Sequence, residues 1–152
     1  MPPARWRYSH SDLGEAVLPD GQSILRPVVT VSVASSAIEY VAVVDSGSPI
    51  SIADSGLFAR FGIDPAIDQP LFEVPLGMGG AFGRIPVFAV ELELRPPRGV
   101  LAPPVIWSLQ LGARHDWRLP FSVLLGQRGW FDQFPTTIDG ASTTVHVDAP
   151  PS

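Results

Sequence analysis

The chain has no cysteine, no lysine and no asparagine among its 152 residues. Without cysteine it has no disulfide framework, no thiolate metal site and no thiol nucleophile. Without lysine, all ten cationic side chains other than histidine are arginines, and they are spread along a chain whose formal net charge is −5. This charge distribution lacks the basic patch of a nucleic-acid-binding protein, so we expect no nucleic-acid partner.

Long hydrophobic runs are also missing. No apolar run reaches the length of a membrane span, and the first ten residues contain no apolar segment typical of a signal peptide. We therefore expect a cytoplasmic protein without a membrane partner. The absence of lysine and asparagine, together with abundant alanine, glycine and proline, is typical of a GC-rich bacterial genome.

The usual metal and serine-hydrolase patterns are absent too. His10, His115 and His146 show no spacing typical of a zinc site. The chain contains no Gly-x-Ser-x-Gly motif, the nucleophile elbow of many serine hydrolases. We expect neither a metal nor a cofactor.

What is present is a chain divided into short runs by 17 prolines and 14 glycines, with 45% hydrophobic and only 16% charged residues. Several of these runs alternate apolar and polar residues, which predicts an all-β fold. The predicted strands are residues 28–33, 38–44, 50–52, 71–76, 85–94, 105–111, 121–126, 136–139 and 143–147. The segments 95–104 and 112–119 are predicted loops.

Helical structure is expected only in short pieces. Asp54 or Ser55 is a suitable N-cap for a helix over residues 56–61 that ends at Gly62, and residues 129–133 are predicted to form one helical turn. Trp107, Trp117 and Trp130 are expected in the core or at an interface. We expect one domain over residues 21–147, a flexible N-terminal arm over 1–20 and a flexible tail over 148–152.

The most informative residue is Asp45, which ends the apolar run Tyr-Val-Ala-Val-Val and begins Asp-Ser-Gly-Ser. A carboxylate after a buried strand requires hydrogen bonds or a functional role to offset the cost of burying charge. Gly47 permits a tight turn in which backbone amides face that carboxylate. A second Asp-Ser-Gly begins at Asp54, but it precedes the helical segment, so we interpret it as an N-cap. The two copies are also too close in sequence to be the two lobes of a pepsin-like monomer.

Two further segments complete a pattern with Asp45. The glycine-rich segment 77–83 lies between two predicted strands, and a second apolar strand, Phe-Ser-Val-Leu-Leu, ends at Gly126. Together they resemble the retroviral-type (retropepsin-like) aspartic proteases, which carry a hydrophobic-Asp-Thr/Ser-Gly loop, a glycine-rich flap and a hydrophobic-hydrophobic-Gly psi-loop strand. The resemblance covers about residues 25–140.

The resemblance implies a closed acid-protease barrel with a flap hairpin and one or two short helices. It implies that Asp45 is the catalytic residue and that Ser46, Gly47 and Ser48 support its loop. The psi-loop residues would be Leu124, Leu125 and Gly126. The flap and substrate-binding residues would be Gly77, Met78, Gly79, Gly80, Ala81 and Phe82.

This chain departs from the retroviral pattern directly after Gly126. The family usually continues with Arg-Asp, where this chain has Gln127 and Arg128. In retroviral members the arginine pairs with an aspartate four residues after the catalytic one, a position that Pro49 occupies here. Both partners of the ion pair are absent together, so no charge loses its partner.

Because aspartic proteolysis needs two adjacent carboxyl groups that share a proton, one Asp loop per chain implies a homodimer with an Asp45/Asp45 dyad. The function implied is that of an aspartic endopeptidase acting on a peptide or protein substrate. Two alternatives remain open at this point. One is a non-catalytic peptide-binding or scaffold dimer on the same fold, and the other is an unrelated β-sandwich in which Asp45 is only a turn residue.

Overall fold

The computed structural model describes residues 4–34, 36–78 and 81–149. The regular structure of the described chain consists of β-strands and one short 3₁₀ helix, Ser55–Phe61. The strands are β1 (Ala4–Ser9), β2 (Ser11–Val17), β3 (Ser23–Arg26), β4 (Val28–Ser32), β5 (Glu39–Val44), β6 (Ser51–Asp54), β7 (Phe72–Met78), β8 (Ala81–Leu94), β9 (Val105–Arg114), β10 (Val123–Leu125), β11 (Thr136–Asp139) and β12 (Thr144–Ala149).

Six strands form a closed barrel in the order β4-β5-β10-β6-β9-β8, with β7 added at the outer edge of β8. The barrel closes because β4 pairs with β8 as well as with β5, with Val31 opposite Leu94. At this closure Ser32 is fully buried, and its hydroxyl donates to Glu93 Oε2 (2.9 Å) and accepts from Arg95 Nε (2.8 Å). The all-β barrel prediction is confirmed, and the β-sandwich alternative is wrong.

A three-stranded sheet, in the order β1-β12-β11, lies outside the barrel. In β1, Trp6 and Tyr8 are buried while Arg5 and Arg7 are exposed, so the strand has one apolar face. Residues 4–9 of the expected N-terminal arm form a strand paired with β12, with Ala4 opposite Ala149. Residues 148 and 149 of the expected tail belong to β12. Residues 1–3 and 150–152 lie outside the described residues.

Two apolar clusters form the core. The larger one fills the barrel and the space under the outer sheet, and it includes Trp107 and Trp130, whose rings meet edge to face with centroids 5.7 Å apart. The smaller one, called here the second cluster, contains Val28, Val43, Ile52, Ile85, Phe121 and Leu124. Trp117 is half-buried and packs on this second cluster.

The 3₁₀ helix begins one residue before the predicted start and ends, as predicted, at Gly62. The Asp54 carboxylate accepts a hydrogen bond from the Gly56 amide (3.1 Å), and Gly62 ends the helix with φ of 72°. Residues 130–133 form turns, with the Phe134 amide donating to the Trp130 carbonyl (2.8 Å), so a single helical turn is present at about the predicted place. In the described part of the chain no helix is long and apolar enough to cross a membrane.

The end of strand β9 differs from the prediction. Strand β9 continues to Arg114 through residues expected to form a loop, because its end pairs in parallel with β6. Gly112 lies in this extension, where a Cβ atom would approach Ile85 Cγ2 to 2.9 Å. The glycine is therefore required by close packing within a strand, which is the opposite of the loop role that its sequence context suggests.

Candidate active site

Asp45 follows directly after β5, where the chain is hydrogen-bonded to a neighbouring segment on each side. Its amide donates to the Leu125 carbonyl (2.9 Å), and the preceding Val44 amide donates to the Pro27 carbonyl (3.0 Å). The Asp45 side chain is half-buried. The end of β5 is therefore fixed on both sides, by β4 and by the strand that contains Leu125.

The loop after Asp45 folds back on the carboxylate. The Gly47 amide donates to Asp45 Oδ1 (2.9 Å), and the Ser48 amide donates to the Asp45 carbonyl (3.2 Å). A Cβ atom at Gly47 would lie only 3.2 Å from Asp45 Oδ1, so glycine leaves the room that this contact needs. Ser48 turns its hydroxyl inward to the Ile50 carbonyl (2.7 Å), whereas Ser46 is exposed.

The predicted psi-loop strand lies beside this loop. Strand β10 runs parallel to β5, with Leu124 opposite Val43 and Leu125 opposite Val44, and antiparallel to β6. At its end a Cβ atom on Gly126 would lie 2.3 Å from the Ile50 carbonyl oxygen and 2.6 Å from that of Ser48. A side chain at Gly126 would clash with these two carbonyl groups, which could move away only if the Asp45 loop also moved.

Two residues outside the predicted set also hold the loop. Gln127 donates through its side-chain Nε2 to the Ser46 carbonyl (2.6 Å) and through its amide to the Ser48 carbonyl (2.8 Å). Ser51, which is buried, accepts from the Gly126 amide (3.0 Å) and donates to the Arg128 carbonyl (2.8 Å). Gln127 thus occupies the place of the retroviral arginine and braces the loop within its own chain.

An ion pair lies next to Asp45. Arg26, which precedes Pro27, donates through Nε and Nη2 to the two carboxylate oxygens of Glu15 (2.7 and 2.9 Å). These hydrogen bonds raise the pKa of Arg26, and the Asp45 carboxylate contributes to the same effect by charge attraction. They also lower the pKa of Glu15. The β2–β3 hairpin therefore places a cation within the electrostatic field of Asp45.

The predicted flap coincides with the hairpin of β7 and β8. Its register runs from Phe72 opposite Val87 to Met78 opposite Ala81, with Gly77 opposite Phe82. Gly79 and Gly80, the predicted tip, lie outside the described residues. Nothing in the described structure tests whether this hairpin closes over a ligand, so its role as a flap stays a prediction.

The β7–β8 hairpin and the strands beside Asp45 both contribute side chains to the second cluster or its surroundings. Val74 of β7 and Ile50 pack on this cluster, which also contains Val43 of β5 and Leu124 of β10. Leu13 of the β2–β3 hairpin packs there as well. A buried apolar cluster therefore connects the strands that carry the Asp45 loop with two hairpins.

The other candidate residues lie elsewhere. Asp54 serves as a helix cap, and the neighbouring Ser55 hydroxyl lies 3.3 Å from His115 Nδ1 on the surface. His10 and His146 lie beside and within the outer sheet. Among the described residues no group of three or more histidine, aspartate or glutamate side chains is placed to hold a metal ion.

The structure is similar to two solved structures. A retropepsin-like aspartic protease from Rickettsia conorii superimposes with a TM-score of 0.57 at 11% identity, over 100% of this chain and 98% of that chain. The retroviral protease-like domain of Ddi1 from Leishmania major superimposes with a TM-score of 0.52 at 14% identity, over 85% and 97% of the two chains. No protein-family profile matches the sequence, and no curated protein matches it significantly. The fold implied by the sequence resemblance is thereby confirmed: the chain has the retropepsin-like aspartic protease fold.

Proposed function

We propose that this chain is an aspartic endopeptidase whose active site is an Asp45/Asp45 dyad formed across a homodimer. The observation that carries the proposal is the Asp45 carboxylate itself, which accepts from the Gly47 amide on a loop fixed by the psi-loop strand. A half-buried carboxylate held in this way has the fixed position that acid–base catalysis requires. The Ser46–Ser48 segment is the support of the loop.

The chemistry requires the second carboxylate. Two carboxyl groups about 3 Å apart share one proton, because like charges at that distance do not both ionise readily. The ionised group takes a proton from a water molecule, which attacks the carbonyl carbon of the peptide bond. The protonated group donates its proton to the carbonyl oxygen as negative charge develops there. The group that took the proton from water then gives it to the leaving nitrogen, and the carbon–nitrogen bond breaks to release the amine and the carboxylic acid, while the other carboxylate recovers its proton. One chain supplies one such carboxylate, so a second copy is a condition of activity.

The remaining parts of the proposal follow from the same fold. The β7–β8 hairpin, with Gly77–Met78 and Ala81–Phe82 on its two strands, is proposed as the flap over a peptide or protein substrate. The chemistry assigned to the dyad uses no cofactor or metal. A cytoplasmic, bacterial protein stays a proposal that rests on composition alone.

The alternative is a peptide-binding or scaffold dimer on the same fold, without turnover. The observation that favours it is the exchange of the retroviral ion pair for Pro49 and Gln127. In place of that ion pair, the Gln127 side chain donates to the Ser46 carbonyl of its own chain. If dimer stability depends on the missing ion pair, the two Asp45 side chains would not be held at the distance that catalysis needs.

The test is the Asp45→Asn variant, assayed for peptide cleavage and for its oligomeric state. Asparagine is nearly isosteric and still accepts from the Gly47 amide, but it does not take a proton from water. We expect cleavage to be abolished while sedimentation shows the same dimer for the wild type and the variant. Cleavage that persists in the pure variant would refute the dyad, and a strictly monomeric but active wild type would refute the shared site.

A further inference from the structure

The outer sheet ends in a strand whose far side has no partner strand in the described part of the chain. Strand β11 is the last in the order β1-β12-β11, and it pairs with β12 alone. Its residues Thr137 and Ile138 are exposed, although Ile138 lies on the same face as the buried Val145 opposite it. A free strand edge presents unpaired amide and carbonyl groups that can pair with another chain.

The pairing with β12 decides which backbone groups of β11 point outward. The Asp148 amide donates to the Pro135 carbonyl (3.0 Å), in register with the pairing of the two strands, so these two residues occupy a hydrogen-bonded position of the ladder. Such positions alternate along an antiparallel pair, so Thr137 also bonds to β12. The amide and carbonyl groups of Thr136 and Ile138 therefore point to the free side.

The two edges of the outer sheet differ in charge. Strand β1 carries Arg5 and Arg7, both exposed on its outer face. Two copies of β1 paired with each other would bring these arginines together, and like charges on neighbouring strands are destabilising. Residues 136–138 of β11 are two threonines and an isoleucine, β-branched and uncharged, and only Asp139 at the end of the strand is ionisable. Of the two edges, β11 is the one open to pairing.

A second copy of β11 complements this edge. In an antiparallel pair with Thr137 opposite Thr137 of the second copy, each Thr136 lies opposite an Ile138. The outward amide and carbonyl groups then form four hydrogen bonds, whereas a shift by two residues leaves only two within the strands. A shift by one residue would place the apolar face of one sheet beside the polar face of the other. The two Asp139 side chains lie at opposite ends, about 14 Å apart along the strands.

We propose that two copies of this protein pair along β11, antiparallel about a two-fold axis at Thr137, so that two three-stranded sheets become one six-stranded sheet. The proposal rests on the proposed function, because it names the surface that brings a second Asp45 to the site. Such a contact uses the same surface on both copies and closes on itself. Pairing of β11 with β1 of another copy would leave free edges and continue into filaments.

Strand β11 is also fixed relative to the Asp45 loop. The buried Trp130 lies between Gly126 and β11, and its Nε1 donates to the Thr136 hydroxyl (3.0 Å). Gly126 in turn abuts the Ser48 carbonyl. Because the chain from the loop to β11 is held by these contacts, pairing of two β11 strands sets the relative position of the two Asp45 loops.

The first measurement is amide hydrogen exchange of the wild type over a dilution series that spans dimer dissociation. We expect the Thr136 and Ile138 amides to exchange at least about tenfold faster in the monomer, because their acceptors lie on the second copy. The Thr137 amide should change little, because its acceptor lies on β12 of the same chain. This comparison of neighbouring amides needs no substitution and no turnover.

The second measurement reverses a charge at the axis. Thr137→Arg and Thr137→Glu should each weaken dimerisation at least about fivefold in sedimentation at low salt, because each places like charges opposite one another. An equimolar mixture of the two variants should associate within about twofold of the wild type. Ser9→Arg is the matched control, because Ser9 is exposed on β1, the other edge strand of the same sheet, and its change should leave the dimer intact.

The outcomes separate this proposal from the proposed function. A wild type that is monomeric at every concentration, exchange of Thr136 and Ile138 that ignores concentration, or a dimer that persists in both Thr137 variants would each overturn the pairing. A mixture of the two variants that stays monomeric would also overturn it. Cleavage by a wild-type dimer that does not depend on β11 would leave the protease standing without this interface. A dimer that depends on β11, with no cleavage of any peptide, would support the pairing and refute the protease.

Discussion

Replacing Ser51 by alanine should destabilise the protein more than the loss of one oxygen atom suggests. The Ser51 side chain is buried, and its hydroxyl accepts from the Gly126 amide (3.0 Å) and donates to the Arg128 carbonyl (2.8 Å). Alanine fits the space but offers neither bond. It leaves two backbone groups without their partner at the crossing of β10 and the Asp45 loop.

The size of the effect follows from those two groups. Each buried backbone group that loses its hydrogen bond costs about 1–3 kcal/mol, so the expected loss in the free energy of unfolding is about 2–6 kcal/mol. The same change should accelerate amide exchange at Gly126, since that amide no longer has its acceptor. Peptide cleavage, where measured, should fall because Gly126 adjoins Ser48.

The assay is urea unfolding at a fixed protein concentration, so that any dimer contributes equally to the two proteins. Ser108→Ala is the matched control, because Ser108 is exposed on β9 and its change should stay within about 0.5 kcal/mol. If Ser51→Ala also stays within about 0.5 kcal/mol at an unchanged m-value, the reasoning from unsatisfied backbone groups is refuted.

Two other predictions concern the surroundings of Asp45. Gln127→Leu removes the hydrogen bond to the Ser46 carbonyl, so cleavage should fall several-fold while the free energy of unfolding changes by no more than about 1.5 kcal/mol. Unchanged kcat and KM would show that this hydrogen bond does not position the Asp45 loop. Arg26 lowers the pKa of Glu15, so the pair stabilises the β2–β3 hairpin above the ordinary glutamate range near about 4.3 and is lost as pH falls through the lowered pKa. Amide exchange in the hairpin should therefore accelerate on acidification in the wild type. The acceleration should be smaller in Glu15→Gln, in which the lowered pKa of Asp12 still contributes; identical pH profiles would refute the linkage.

The fold was largely predictable because its main signals are local. Alternation of apolar and polar residues predicts β8, and the capping pair Asp54 and Gly62 predicts the 3₁₀ helix. The apolar run before Asp45 and the run before Gly126 predict two strands that the structure pairs in parallel. The closure of the barrel between Val31 and Leu94 is not a local signal, and it came only through the family resemblance.

The parts that sequence reasoning missed depend on distant partners. The side chains of Ser51 and Gln127 form hydrogen bonds with residues 75 and 81 positions away in the sequence. A single serine or glutamine has no local sequence pattern that predicts such a bond. The alternation of Trp6 and Tyr8 with Arg5 and Arg7 did indicate a strand at the N-terminal end. Its partner could not be predicted, because β12 follows all the barrel strands in the sequence. The roles of Asp45 and the flap residues stay predictions.

The pairing of β1 with β12 has a consequence for how the chain folds. Strand β1 precedes every barrel strand in the chain and β12 follows them all, so this contact closes the longest loop in the described structure. During synthesis Trp6 and Tyr8 emerge before the barrel strands, whereas their strand partners Val147 and Val145 emerge after them. Because non-local contacts form slowly, the outer sheet should be completed after the barrel has closed. Until then the two aromatic side chains stay exposed on an unpaired strand, which makes the nascent chain dependent on rapid barrel closure to avoid association with its copies.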